Sequence, residues 1–381
     1  MRIGIDATAL PNRPVGAGNY IIQLVRALSQ YTAQTQFVIF TQRHGISLLN
    51  VKEQHGLKLV VLPDHSPALR LLWEQCYFPI LAARHKLDLL HSLHYTLPLA
   101  YPGRRVVTFH DMTFFLFPQL HTLPKRYFFR LFIHLSRRQA NAIIADSEST
   151  RQDAIRLAGV PPSKIHTVLL GVTPDFHTEK DPAVLQAVRQ KYQLPERFLL
   201  YVGLLEPRKN LPVLLHAFAS LPPKKPEVKL VIVGRQGWMY TQTLQLVQSL
   251  GLAERVHFTG YVDQPDLPRV YNLAQMAVYP SLYEGFGFPV LEAMACGTPV
   301  ITSNVSSMPE IAAEAGLLVP PGDVPALATA IEHLLSDPIE RQRRSALGLE
   351  RAAQFTWERT AKETIKVYAH VLGAAGEASG G

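Results

Sequence analysis

Two glutamates eight positions apart, Glu284 and Glu292, bracket the stretch EGFGFPVLE. A carboxylate accepts hydrogen bonds at two oxygens, so such a pair suits a ligand rich in hydroxyl groups. Between them, Gly285 and Gly287 let the backbone approach a ligand closely and take positive φ. Pro289 suits the first turn of a helix, where its missing N–H is not needed. The free N–H groups of that helix start attract phosphate or sugar oxygens. With one carboxylate on the approach loop and the other about a turn into the helix, both can face one bound molecule. An elongated, polyhydroxylated, phosphorylated ligand such as a nucleotide-sugar fits. A second pair, Arg208 and Lys209 in YVGLLEPRKN (201–210), stands where a strand ends near Gly203 and a helix starts near Asn210. In open α/β sheets ligands bind at such junctions. Two cations there would neutralise a diphosphate and stabilise it as a leaving group. Taken alone, each pair also has an ordinary reading: surface glutamates in one case, a solvated basic turn in the other.

These side chains need strands that end in loops, and the chain supplies such a series twice. RIGIDATAL (2–10), QFVIFTQ (36–42), LKLVVLP (57–63), DLLHSLH (88–94), RVVTFHD (105–111) and AIIADSE (142–148) read as strands, with a helix near 19–30 after the loop VGAGNY (15–20). The second series is FLLYVGLL (198–205), KLVIVG (229–234), VHFTGYV (256–262), MAVYPS (276–281), PVITSN (299–304) and GLLVP (316–320). Strands alternating with helical stretches predict parallel sheets covered on both faces. Ser149 with Gln152 reads as a capping box, and so does Ser307 with Glu310, which gives Glu310 a structural role. The polar stretch DFHTEKDP (175–182) separates the two series, so the expected domains are 1–178 and 179–356, followed by a helix over 357–372. The tail GAAGEASGG (373–381) has a disordered composition.

At 381 residues, 47% hydrophobic and 18% charged, the chain describes a soluble protein of two domains. No run of 18 apolar residues exists, and the N-terminus reads as a strand rather than a signal peptide. The two cysteines, Cys76 and Cys296, are far apart and read as free thiols in a reducing cytoplasm. Residues 1–178 carry 19 Lys and Arg against 10 Asp and Glu, while 179–381 carry 19 against 20, so the net charge of +8 belongs to the first half. No nucleic-acid motif accompanies it, which leaves an anionic membrane surface or a lipid-phosphate acceptor as the expected partner. KRYFFRLFIHLSRRQAN (125–141) holds five Lys and Arg and no acid. There Phe128, Leu131, Phe132 and Leu135 fit one buried stripe at helical spacing. The segment reads equally as a core helix with a solvated basic face or as a membrane-facing helix, each basic residue then adding about 1 kcal/mol.

EGFGFPVLEAMACGTPVI (284–301) resembles the Glu-x7-Glu signature of retaining glycosyltransferases of family 4, and AMACGTPVITSNVSSMPEI (293–311) matches the same family. The resemblance implies an α/β GT-B fold, with two Rossmann-like domains facing a central cleft. The first would bind the acceptor and the second the nucleotide-sugar, with the final helix crossing back to the first domain on Trp357 and Tyr368. It assigns Glu292 to the ribose hydroxyls and Glu284 to the transferred sugar, helped by the N–H groups of Gly285, Phe286, Gly287 and Phe288. Gly16 and Gly18 would form a loop closing over the donor, and His110 would lie near the donor sugar with Asp111 structural. The backbone near Tyr261 and Val262 would hold the base, and His91 and His94 would line the acceptor side. Many members carry an arginine where this chain has Leu204, which puts the phosphate charge on Arg208 and Lys209. The expected catalytic set is His110, Glu284, Arg208 and Lys209.

The reaction implied is front-face transfer of a hexosyl group with retention. No Asp-x-Asp motif or His/Cys cluster argues for a metal, and no cofactor is expected. EPRKN and GFGFPVLEAMACGTPVITSN look most like bacterial mannosyltransferases that take GDP-mannose and build O-antigen or exopolysaccharide on a glycan or lipid-linked acceptor. A UDP-glucose or UDP-N-acetylhexosamine donor stays open, as does a non-catalytic nucleotide-sugar-binding protein. A nucleotide-sugar epimerase or a pyridoxal-dependent phosphorylase could share the architecture, but neither is suggested by a motif. The expected location is cytoplasmic, peripheral at the inner face of the membrane, with no nucleic-acid partner.

Overall fold

The computed structural model describes residues 1–33, 35–222, 227–234 and 240–373. The tail expected to be disordered lies, apart from Gly373, outside the described residues. Contacts divide the chain into two units: Met1–Gly171 together with the chain from Thr356 onward, and Val172–Phe355. The passage from the first to the second falls at Gly171–Val172, ahead of the polar stretch 175–182.

The first unit is built on seven strands: β1 (Arg2–Asp6), β2 (Gln36–Gln42), β3 (Leu57–Leu62), β4 (Leu89–Ser92), β5 (Arg104–Phe109), β6 (Ala142–Ala145) and β7 (Ile165–Thr167). They pair in the order β3-β2-β1-β4-β5-β6-β7, parallel throughout. β4 and β6 are buried at every position, as expected of a parallel sheet covered on both faces. β7 was not anticipated: three residues, Ile-His-Thr, are too short and too polar to show a pattern. The helix after β6 starts at Glu148, and its cap is Ser147, whose hydroxyl accepts from Thr150 N–H. The expected cap, Ser149, already lies inside that helix.

The helix Leu123–Gln139 buries Phe129, Phe132, Ile133 and Ser136. This differs from the expected stripe: Leu131 is 55% exposed, beside Leu123 and Tyr127 at 63% and 64%. Apolar residues at so many neighbouring positions fit several helical phases, and packing onto Tyr95 and Phe114 selects the one carrying Phe129.

The helix Trp357–Leu372 belongs to the first unit and packs on the helix Ala17–Leu28. Its Tyr368 is fully buried, with the hydroxyl 2.7 Å from His91 Nδ1. His91 Nε2 lies 2.8 Å from Thr108 Oγ1, which in turn lies 2.8 Å from the Tyr20 hydroxyl. Trp357, 8% exposed, packs near the Tyr20 ring.

The second unit has six parallel strands: β8 (Phe198–Val202), β9 (Lys229–Val233), β10 (Val256–Gly260), β11 (Met276–Tyr279), β12 (Val300–Ser303) and β13 (Leu317–Val319). Their order is β10-β9-β8-β11-β12-β13. The order reverses between β8 and β11, and it is outside the carboxyl ends of such strands that α/β sheets form ligand crevices. β8 leads into Arg208 and Lys209, and β11 leads into Glu284. Pairing of Leu199 with Met276 and of Leu200 with Ala277 therefore brings together loops 75 residues apart in sequence. Among the described residues no helix is long and apolar enough to cross a membrane.

Candidate active site

After β8 the chain makes a short 3-10 turn, Pro207–Lys209, and leaves it through Asn210 in the left-handed region (φ 57°). The Asn210 side-chain amide donates to the carbonyls of Pro280 and Pro321, and Leu282 N–H donates to the Arg208 carbonyl at 2.8 Å. The two loops are thus tied by backbone before their side chains meet.

Glu284 is the hub. Its Oε2 accepts from Arg208 Nη1 at 2.6 Å, and its Oε1 accepts from Lys209 Nζ at 2.7 Å, Ser281 Oγ at 2.8 Å and the Tyr279 hydroxyl at 3.0 Å. Arg208 also donates to the Tyr283 carbonyl at 2.8 Å and to Glu206 Oε1 at 2.8 Å. Burial alone would raise the Glu284 pKa, but the charges of Arg208 and Lys209 outweigh it and hold the carboxyl at about 2. Lys209, 9% exposed, moves the other way from its ordinary value. Its own burial and the neighbouring Arg208 lower it by more than Glu284 and Glu206 restore. Arg208 and Lys209 are thus both tied to Glu284, and Arg208 to Glu206 as well. Glu284 and the basic pair, expected to meet different parts of a ligand, are bonded to each other.

The loop after Glu284 is braced by two serines. Glu284 N–H donates to Ser306 Oγ at 3.0 Å, while Ser307 Oγ donates to the carbonyls of Glu284 at 3.0 Å and Phe286 at 2.5 Å. The expected capping box at Ser307 does not form, because its hydroxyl is spent on this loop. Gly287 then caps the helix Phe288–Ala295 at φ 118°, and a Cβ there would run into the Met308 side chain. The positive φ is what calls for glycine, since the Met308 methyl is the end of a flexible side chain and could shift. The helix begins with Phe288 and Pro289, as the sequence suggests, and Gly285 and Phe286 are buried in the loop before it.

Glu292 lies one turn into that helix. Among the described residues its carboxylate takes one hydrogen bond, from the Tyr271 hydroxyl at 3.1 Å. Burial without a cationic partner raises its carboxyl to about 7. At the end of β10, Val262 is buried and Tyr261 half-exposed, so the segment expected to meet a base presents the Tyr261 side chain to solvent.

In the first unit Gly16 (φ 50°) precedes the helix Ala17–Leu28, and Gly18 in its first turn sits against Pro14, 2.8 Å from where a Cβ would be. His110, at the end of β5, is 9% exposed. Its Nε2 lies 2.9 Å from the Leu93 carbonyl and its Nδ1 2.7 Å from Asp146 Oδ2. A carbonyl can only accept, so Nε2 carries a proton and a second proton lies between Nδ1 and Asp146. Burial pushes His110 down, but the Asp146 carboxylate and the hydrogen bonds outweigh it and the net direction is up. Both ring nitrogens are occupied within the unit. Asp111 closes a turn onto Thr113 N–H and Oγ1. His91 is fully buried with both nitrogens bonded, so it does not line a surface as expected; burial and the nearby His110 hold it down at about 3.

The sequence does not point to Asp146, Tyr279, Ser281 or Ser306, and it points to Ser307 only as a helix cap. The serine-rich SNVSSMPE (303–310) and the strand end YPS (279–281) were the available signals. Among the described residues no group of three or more His, Cys, Asp or Glu is placed to hold a metal ion.

Residues 14–176 match the family model described as Glycosyltransferase Family 4, and residues 186–351 the one described as Glycosyl transferases group 1. The O-antigen chain mannosyltransferase B of Escherichia coli is 35% identical over 369 residues, covering 93% of this chain and 95% of that protein. Among solved structures, sucrose-phosphate synthase from Thermosynechococcus elongatus has the same fold, with a TM-score of 0.77 at 24% identity over 98% of this chain and 100% of that one. So has the Anabaena protein HepE in complex with UDP and glucose, with a TM-score of 0.77 at 21% identity over 97% and 100%.

Proposed function

Because the chain belongs to glycosyltransferase family 4, and is an enzyme of that family with the GT-B fold, we propose that its reaction is retaining transfer of a hexosyl group. The donor we assign is GDP-mannose, and the acceptor a glycan or lipid-linked glycan of cell-surface polysaccharide synthesis. The E. coli O-antigen chain mannosyltransferase, matched over nearly its whole length, supports mannose as the sugar and a glycan acceptor. The observation that carries the reading is the Arg208–Lys209–Glu284 set at the β8/β11 switch point.

In this scheme the donor diphosphate meets Arg208 and Lys209, whose charge stabilises it as the glycosidic bond breaks. Glu284 holds both cations in place and takes hydroxyls of the sugar. The start of the helix Phe288–Ala295 adds a positive dipole end. Glu292, in its ionised form, accepts from the ribose diol. The departing phosphate helps remove the acceptor proton on the same face, which gives retention. Arg208 and Lys209 supply the positive charge that a divalent ion would otherwise bring, so turnover should survive chelation.

The first unit would take the acceptor. We assign it a peripheral place at the inner face of the membrane. The helix Leu123–Gln139 turns Leu123, Tyr127 and Leu131 to solvent, with Lys125 and Arg138 also exposed. Apolar tips among cations with no acid on the helix suit an anionic bilayer. Flotation with anionic vesicles should therefore recover the protein, less so at high salt, and a Tyr127→Ser/Leu131→Ser variant should stay behind.

The test of function is a panel of GDP-, UDP- and ADP-sugars offered with a lipid extract as acceptor. GDP-mannose should be consumed and the new anomeric NMR signal should be α. Consumption of UDP-glucose or a UDP-N-acetylhexosamine would replace the donor assignment, and binding of a donor without transfer would favour a non-catalytic sensor.

A further inference from the structure

Each of the two glutamates has a buried tyrosine of its own. Tyr279, the last residue of β11, is 2% exposed, and its hydroxyl lies 2.6 Å from Lys209 Nζ and 3.0 Å from Glu284 Oε1. Lys209 reaches the same carboxylate oxygen at 2.7 Å, so the three groups close a triangle. Tyr271, in the helix Leu267–Leu273, is fully buried, and its hydroxyl lies 3.1 Å from Glu292 Oε2. Burial first, and the adjacent carboxylate second, push both phenols well above their ordinary value. Both therefore keep their protons.

The chemistry leaves one direction for each bond. An ammonium group has no lone pair, so Tyr279 accepts from Lys209 and donates its single proton to Glu284. Tyr271 donates to Glu292. The backbones of both tyrosines are also pinned, since Thr302 Oγ1 donates to the Tyr279 carbonyl and Thr298 Oγ1 to the Tyr271 carbonyl, each at 2.8 Å. Neither hydroxyl can turn away without leaving a buried polar group unpaired, which is costly.

We propose that Tyr279 and Tyr271 are positioning residues with separate tasks: Tyr279 sets Lys209 and Glu284 for the donor diphosphate and sugar, and Tyr271 aims the Glu292 carboxylate at the ribose. The assignment rests on the nucleotide-sugar reading above. A purely structural role would have the hydroxyls satisfy their neighbours and nothing more.

Tyr279→Phe and Tyr271→Phe keep the rings and remove one hydroxyl each. Steady-state kinetics of the full chain with GDP-mannose and its 2′-deoxyribose analogue, across neutral to alkaline pH, separates the roles. Tyr279→Phe should lower kcat about tenfold with donor KM nearly unchanged, the loss expected for a hydrogen bond to a charged group. It should also move the alkaline limb of the pH profile downward, because Lys209 loses an acceptor that favours its charged form. Tyr271→Phe should raise donor KM about fivefold at unchanged kcat. The 2′-deoxy analogue should show little of that increase. Variants that only melt earlier, with kcat, KM and pH limbs as in the wild type, overturn the assignment alone. A wild type that neither binds nor turns over any donor overturns the nucleotide-sugar reading beneath it.

Discussion

Glu284→Gln isolates the charge at the centre of the second unit. Glutamine keeps the size of the side chain and one acceptor oxygen, but it cannot balance Arg208 and Lys209. The carboxyl is held at about 2 from an ordinary 4.5. A group whose folded pKa lies below its unfolded one stabilises the fold above the unfolded value and loses that contribution as pH falls toward the folded one. At 1.36 kcal/mol per unit, the shift is worth about 3 kcal/mol at pH 7. Lys209 offsets part of this, since its burial lowers its own pKa. The variant should thus be less stable at pH 7 by about 2–3 kcal/mol, or roughly 4–12 °C in melting temperature for a domain of this size. The gap should narrow as pH falls from 4.5 toward 2. Calorimetric melts of both proteins at pH 7, 5 and 3 measure it. Replacing Lys209 with Met in the same variant should recover part of the loss, because the cation left unbalanced is then gone. A variant as stable as the wild type at pH 7, or a deficit equally large at pH 3, would refute the reasoning.

Glu292 has the opposite sign: its raised carboxyl is neutral in the fold at low pH and becomes a cost as pH rises from 4.5 through about 7. Glu292→Gln should therefore raise the melting temperature at pH 8 with the gain vanishing near pH 4, while wild-type donor KM should fall as pH rises through that window. Asp146→Asn removes the group that raises the His110 pKa, so burial should then carry that pKa below its ordinary value. The imidazole signal in NMR, assigned with a His110 variant, reports this, and an unmoved titration would deny the pair its charge.

Strands were legible because a buried parallel strand is a short apolar run between turn residues, and such runs stand out in this chain. β7 lacks that contrast. The start of the helix at Phe288 could be placed because glycine and proline act locally. The bonds that assemble the site could not, since Arg208 and Glu284 meet only through the pairing of β8 with β11. Composition near Glu284 shows two serines but not which carbonyls they reach. The stripe of Leu123–Gln139 was misphased for a related reason: where many adjacent residues are apolar, the tertiary neighbours choose the buried face.

The central claim is that Lys209, held by Glu284 and Tyr279, bears the charge of the departing nucleoside diphosphate. Release of GDP from GDP-mannose by the wild type, Lys209→Ala and Glu284→Ala, each confirmed folded by circular dichroism, tests it most directly. Release by the wild type, with a loss of about a hundredfold or more in both variants, is the expected result. Undiminished release by Lys209→Ala would contradict the account.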